Sequence, residues 1–181
     1  IINGGADWVY EEEFSFARAF FWSSDSKKIA YYKFDESLVP EFDMTMYEEL
    51  YPTVYRYKYP KAGEKNAIVS IRVYNLPSGT TQTIDIGSNK DQYIPRIKWT
   101  ADANIVCIFR MNRHQNKVEY ILANASTGES NVILAEESSH YLDVNDDLTF
   151  LKNGKQFILS SEDDGFNHLY LYDIGGKLIW Q

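Results

Sequence analysis

The run Asp7-Trp8-Val9-Tyr10-Glu11-Glu12-Glu13-Phe14 sets three adjacent carboxylates between aromatic side chains. Neighbouring acids raise one another's pKa unless water or a cation relieves the repulsion. Two roles suit such a run: an acidic loop turned to solvent, or a receptor for a cationic group. Other familiar chemistry is missing. The sequence has no Gly-x-Ser-x-Gly nucleophile elbow, no glycine-rich phosphate loop and no histidine pair at metal-ligand spacing, since His114, His140 and His168 stand apart. Each histidine reads as an ordinary surface or packed side chain. Asp146-Asp147 and Asp163-Asp164 are acidic pairs in turns, where carboxylates usually accept from backbone N–H groups. Neither pair carries the ligand series of a calcium loop, so no metal and no cofactor is expected. The single cysteine, Cys107, sits in the apolar run Ile105-Val106-Cys107-Ile108-Phe109 and reads as a small buried hydrophobe. It cannot form an internal disulfide, which leaves the redox compartment open.

The elements that position these residues must come from a chain of 181 residues, 44% hydrophobic and 15% aromatic, with 10 Gly and 5 Pro. That composition describes a globular protein and excludes disordered and collagenous classes. Eighteen basic against 26 acidic side chains give a net charge of −8. Without a positive field to gather around phosphates, nucleic acid is excluded as an expected partner, and a cationic ligand fits better. No stretch reaches the ~18 apolar residues of a membrane span, and Ile1 to Gly5 lack the regions of a signal peptide, so the sequence predicts a soluble chain. Short runs such as Lys28-Ile29-Ala30-Tyr31-Tyr32 and Ile68-Val69-Ser70-Ile71-Arg72-Val73-Tyr74 have the β-branched and aromatic content of strands. Little helix is expected.

A repeat organises these strands. An aromatic residue, a polar turn and an apolar strand recur as Trp22 to Tyr31, Trp99 to Ile108 and Phe150 to Leu159. A second unit, a strand ending in a glycine turn, follows each copy at Val73 to Gly79, Leu122 to Gly128 and Leu171 to Gly176. The last glycines are 49 residues apart (79 to 128) and 48 apart (128 to 176). A period of about 40–50 residues made of short antiparallel strands is that of a propeller blade. The expected fold is therefore all-β, with about three four-stranded antiparallel blades. The expected divisions are a lead-in over 1–19, a blade over 20–87, a blade over 88–136 and an incomplete blade over 137–181. Three blades do not close a ring, so the chain is expected to be part of a larger propeller.

The aromatic positions 22 and 99 are too far apart for one period, which places an insertion of roughly 25 residues in the first blade. It falls within residues 35–66, rich in acids, prolines and tyrosines. Tyr55, Tyr57 and Tyr59 alternate with Val54, Arg56 and Lys58, the period of a strand with one aromatic and one partly charged face. Such a ribbon either folds back on its own sheet or packs on another subunit.

Asp7-Trp8-Val9-Tyr10-Glu11-Glu12-Glu13 resembles the double-glutamate motif of the dipeptidyl peptidase IV group of prolyl oligopeptidase family serine peptidases. Trp22-Ser23, Ala30-Tyr31, Phe34 and Val39-Pro40 resemble the blade after that motif, and Tyr59-Pro60-Lys61-Ala62-Gly63 with Asn66 is similar to a second signature. The specific motifs cover about the first 75 residues, and a generic blade pattern continues to residue 181.

The resemblance implies an eight-bladed propeller over an α/β-hydrolase domain of the same chain, with a short loop segment carrying the glutamates into the cavity between them. It implies that Glu12 and Glu13 bind the α-ammonium group of a peptide substrate from which Xaa-Pro or Xaa-Ala dipeptides are released. It further implies that the excursion containing Pro40, Tyr47, Tyr51, Tyr55, Tyr57 and Tyr59 contributes to a homodimer. The family's catalytic Ser, Asp and His and its upstream arginine have no counterpart here, and Leu142-Asp143-Val144-Asn145 lacks the family's Phe-Arg pair. These residues by themselves are expected to be inactive. Family members from animals carry several cysteines in this half of the propeller, so with the lone Cys107 the resemblance implies a bacterial source and a periplasmic or extracellular location. A tripeptide-releasing relative would keep both glutamates, and a non-catalytic propeller binding a protein or glycan would carry them as an acidic rim.

Overall fold

The chain forms strands wherever apolar side chains alternate, and the burial pattern records which faces are covered. In the computed structural model, which describes residues 1–181, the first sheet contains β1 (Ile2–Asn3), β2 (Phe20–Trp22), β3 (Lys28–Asp35), β6 (Ile68–Asn75) and β7 (Thr80–Thr83). Between β3 and β6 the chain leaves to make a separate hairpin, β4 (Glu41–Met46) with β5 (Thr53–Lys58). Between β1 and β2 it makes one helix, α1 (Trp8–Phe14). The second sheet is the meander β8 (Gln92–Trp99), β9 (Ile105–Asn112), β10 (Lys117–Asn124), β11 (Ser130–Glu137). The third is β12 (Thr149–Phe150), β13 (Gln156–Ser161), β14 (His168–Asp173), β15 (Leu178–Trp180). All strand pairs are antiparallel, and each large sheet runs in chain order, consistent with propeller-like blades.

Burial differs between the sheets for a geometric reason. On β3 Lys28, Ala30, Tyr32 and Phe34 are buried and the residues between them are only partly covered, so this sheet is packed on one face. On β9 Val106, Cys107, Ile108 and Phe109 are buried in succession, because neighbours cover the second sheet on both faces. A cluster of 29 buried side chains runs continuously from α1 through all three sheets. The sheets are also cross-tied by polar groups: Trp99 Nε1–H donates to Phe21 O at 3.0 Å, and the Lys28 ammonium to Asn104 Oδ1 at 2.9 Å. Between the second and third sheets, the Lys98 ammonium donates to Leu148 O at 2.5 Å.

Two of the three repeat glycines sit at these junctions. Gly128, with φ +79°, lies against the Thr83 carbonyl of β7, and Gly176, with φ +87°, against the Ile133 backbone of β11. A Cβ at either place would overlap the neighbouring sheet, whereas one at Gly79 would meet only the Tyr74 hydroxyl at 3.9 Å. The spacing seen in the sequence is thus a packing repeat. The third sheet has four strands, the outermost only three residues long.

The hairpin β4–β5 pairs with no other strand and adds nothing to the core cluster. One face carries Phe42 opposite Tyr57 and Met44 opposite Tyr55; the other carries Asp43 opposite Arg56 and Glu41 opposite Lys58. The alternation of aromatic and charged faces expected for Tyr55 and Tyr57 is present. At the tip Tyr47, Leu50 and Tyr51 are 79%, 91% and 79% exposed.

Candidate functional site

The acidic run is a helix, not the loop expected for it. Asp7 caps it, accepting from Tyr10 N–H at 3.0 Å, and the first helical bond runs from Glu11 N–H to Asp7 O. Tyr10 and Phe14, four residues apart, both point into the core, which turns Glu11, Glu12 and Glu13 outward, all three exposed. Ser15 ends the helix at φ 58°, a left-handed conformation more often given to glycine. Seven residues are too few for a helix to persist alone in water, so its tertiary ties decide its existence.

Those ties come from several elements. The helix interrupts one edge of the first sheet: β1 pairs with Lys33 and Phe34 of β3, β2 pairs with Ile29, Ala30 and Tyr31, and a Gly5–Arg18 bridge closes the excursion between them. Residues 1–19 are thereby hydrogen-bonded into the first sheet. The buried Tyr10 hydroxyl accepts from Ile94 N–H of β8 at 2.9 Å. Its ring lies 4.8 Å from that of Phe34 and 5.1 Å from that of Phe14. At the far end Arg96 Nη1 donates to Phe14 O at 2.9 Å, while its Nε holds Asp146 at 2.6 Å.

The second signature braces the first. The Tyr59 ring lies 4.2 Å from that of Trp8, and Asn66 Nδ2 donates to the hydroxyl of Tyr93, whose ring packs 5.2 Å from Phe14. Pro40 O accepts from Tyr59 N–H at 3.0 Å, closing the base of the excursion beside the helix.

Electrostatically the helix is unusual at both ends. Asp7 is 5% exposed, and burial pushes its carboxyl up to about 6 against the pull of Tyr10 N–H, with Glu36 adding to the rise. Glu12 and Glu13 stand near the helix C-terminus, where backbone carbonyls add negative potential and no basic residue occupies the last turn. No Lys, Arg or His makes an ion pair with either glutamate. Glu13 Oε1 accepts instead from the neutral amide of Gln115 at 2.7 Å. The arrangement presents exposed, unneutralised carboxylates on a braced support, which suits a cationic ligand.

Sequence reasoning missed Arg96, Gln115 and Tyr141. Nothing in the sequence links these residues to the acidic run. Asp146 pairs with Arg96 and Asp147 accepts from Ser160 Oγ, so neither serves its turn as expected, whereas Asp164 does accept from Phe166 N–H. No group of three or more His, Cys, Asp or Glu side chains could hold a metal ion. Cys107 is fully buried and burial pushes its thiol well above the usual range, which makes it inert.

Antiparallel four- and five-stranded sheets with an acidic helix set into one edge define the class as an all-β protein of propeller-like blades. The chain belongs to the family described as the dipeptidyl peptidase IV (DPP IV) N-terminal region, which matches residues 1–181. The Porphyromonas gingivalis dipeptidyl peptidase 4 structure superimposes with a TM-score of 0.92 and 41% identity, over 99% of this chain and 26% of that one. A putative dipeptidyl aminopeptidase IV from Bacteroides ovatus gives 0.87 and 29%, over 97% and 25%. The inactive dipeptidyl peptidase 10 of Mus musculus is 33% identical over 88% of this chain and 21% of its own length. The chain thus spans about a quarter or less of the proteins it matches. It corresponds to the non-catalytic propeller part of such proteins, and it has no helix long and apolar enough to cross a membrane.

Proposed function

We propose that these residues form three blades of the propeller of a serine-type dipeptidyl peptidase, and that Glu12 and Glu13 bind the α-ammonium group of its peptide substrate. The observation that carries the reading is the pair of exposed carboxylates without a cationic partner on a helix tied at both ends to the core. An ammonium fixed there receives charge-assisted hydrogen bonds, each contributing roughly 1.5–3 kcal/mol. Holding the N-terminus at a set distance from a nucleophile measures two residues along the peptide, so release of Xaa-Pro or Xaa-Ala dipeptides follows from position as much as from pocket shape. The nucleophile belongs to an α/β-hydrolase domain of the longer protein, in an eight-bladed assembly. A periplasmic location and a homodimer through the Pro40–Tyr59 excursion complete the reading. A ribbon with no core of its own and an apolar tip is marginal in water until something covers it.

The test is Glu12→Ala and Glu13→Ala in the full-length protein, assayed on a free-amine dipeptidyl chromogenic substrate. Each is expected to lower kcat/KM by about tenfold to a hundredfold, and the double variant by about two to four orders of magnitude. Values within about twofold of wild type for both single variants refute the anchor role. The second reading, a non-catalytic propeller, is favoured by the similarity to a relative named inactive. It requires that the full-length protein lack a Gly-x-Ser-x-Gly elbow followed by Asp and His.

A further inference from the structure

We propose that Gln115 is a positioning residue for the glutamate anchor: its amide fixes the Glu13 carboxylate while leaving the charge on Glu13 available to an ammonium group. The proposal rests on the anchor reading above and adds the device that orients it.

Gln115 lies in the turn between β9 and β10 at φ 54°, in the left-handed region that a non-glycine residue enters at a cost. Its backbone is held on both sides, N–H to Asn112 O at 3.0 Å and C=O from Leu142 N–H at 2.9 Å. The side chain is held as well. Nε2 donates to Glu13 Oε1 at 2.7 Å, and Oε1 accepts from the Tyr141 hydroxyl at 3.2 Å. Burial, with Glu13 and Asp143 close by, raises the Tyr141 hydroxyl above its ordinary range, so it remains a donor at neutral pH. The Glu13 carboxylate, which can only accept, sets the amide orientation, because a flipped amide would aim its oxygen at it, acceptor against acceptor; the Tyr141 hydroxyl then donates to the remaining amide oxygen. Glu13 comes from the helix of the first sheet, Gln115 from the second sheet, and Tyr141 from the segment after β11.

The neutrality of the amide is the decisive point. A Lys or Arg in its place would also orient the carboxylate, but it would neutralise the charge and compete with a ligand ammonium. A neutral donor orients without competing, and no cation pairs with either glutamate. The charged and titratable groups at this corner are Glu11 and Glu12 beside Glu13 on the helix, His114 beside Gln115 in its turn, and Tyr141 with its neighbours His140 and Asp143 opposite, while Arg113 of the same turn is paired with Asp91.

Four variants of the full-length protein, assayed with a free-amine dipeptidyl substrate across pH, test the proposal. Gln115→Ala is expected to lower kcat/KM roughly tenfold, mainly through KM, and Tyr141→Phe about two- to fivefold. Gln115→Glu places a second carboxylate against Glu13, so one of the pair keeps its proton to higher pH and the acidic limb of the kcat/KM profile moves up. Gln115→Lys is expected to lose at least as much as Gln115→Ala at every pH, because a fixed cation occupies Glu13. A merely structural role predicts equal losses for Ala, Glu and Lys and an unmoved acidic limb, and that result overturns the proposal. So do values within about twofold of wild type for Gln115→Glu and Gln115→Lys when Glu13→Ala is impaired. If Glu13→Ala is itself harmless, the anchor reading falls as well. Should the Gln115 variants fail to fold, Tyr141→Phe decides, and an unchanged KM counts against the proposal.

Discussion

Asp7 illustrates how a residue can serve a site without entering it. Its carboxylate caps the glutamate helix from a buried position that raises its pKa from 3.8 to about 6. The folded state therefore binds the proton more tightly than the unfolded chain does. Stability from this group is complete below 3.8, is lost as pH rises from there through about 6, and is absent above that. Asp7→Asn keeps an acceptor for Tyr10 N–H and removes the buried charge. It is expected to raise unfolding free energy at pH 8 by about 1–3 kcal/mol and to flatten the dependence between pH 4 and 6, as read by urea denaturation. A native slope unchanged in that window would show that Asp7 is not the titrating group. The sequence revealed the carboxylates of the acidic run but not the inequality between them: Asp7 is buried, whereas Glu12 and Glu13 are exposed.

At the scale of elements, the hairpin β4–β5 and the helix α1 are both excursions from the first sheet, but only the helix is anchored by core residues. The hairpin was legible because Tyr55 and Tyr57 alternate with charged residues, and because it breaks a regular period. The helix was not, since seven residues fall below the window in which a 3.6-residue period can be recognised. If the hairpin tip covers itself on a second copy, replacing Tyr47, Leu50 and Tyr51 together by Ser removes side chains that each contribute about 1.5–3 kcal/mol when buried. The full-length protein is then expected to dissociate to monomer at micromolar concentration, as measured by light scattering during gel filtration. A dimer that survives the triple substitution places the interface elsewhere. The exposed Arg56–Asp43 pair is expected to add little, since surface ion pairs are screened by water.

Across the whole molecule the three sheets behave as a packing repeat, and the glycines give the means to test it. Ala at Gly79 would meet only the cost of a positive φ, about 1–2 kcal/mol, because space is open there. Ala at Gly128 or Gly176 would add overlap with the backbone of the neighbouring sheet. The expected order of destabilisation is Gly176→Ala and Gly128→Ala above Gly79→Ala, the first two by a few kcal/mol, measured by thermal unfolding. Equal losses at all three positions would mean that conformation alone, not sheet contact, selects these glycines.

The sequence alone determined the strand content, the repeat, the site of the excursion and the two motifs that resemble the peptidase family, because each is written in local alternation or in consecutive residues. Even the double burial of the second sheet was present as the unbroken apolar run around Cys107. Only the tertiary structure decided that the acidic run is a helix, that Trp8 packs on Tyr59, and that Gln115 reaches Glu13 from 102 residues away. These contacts depend on how the sheets stack against one another, which local alternation does not encode: a polar side chain in a turn has the same local pattern whether it meets water or a carboxylate from another sheet.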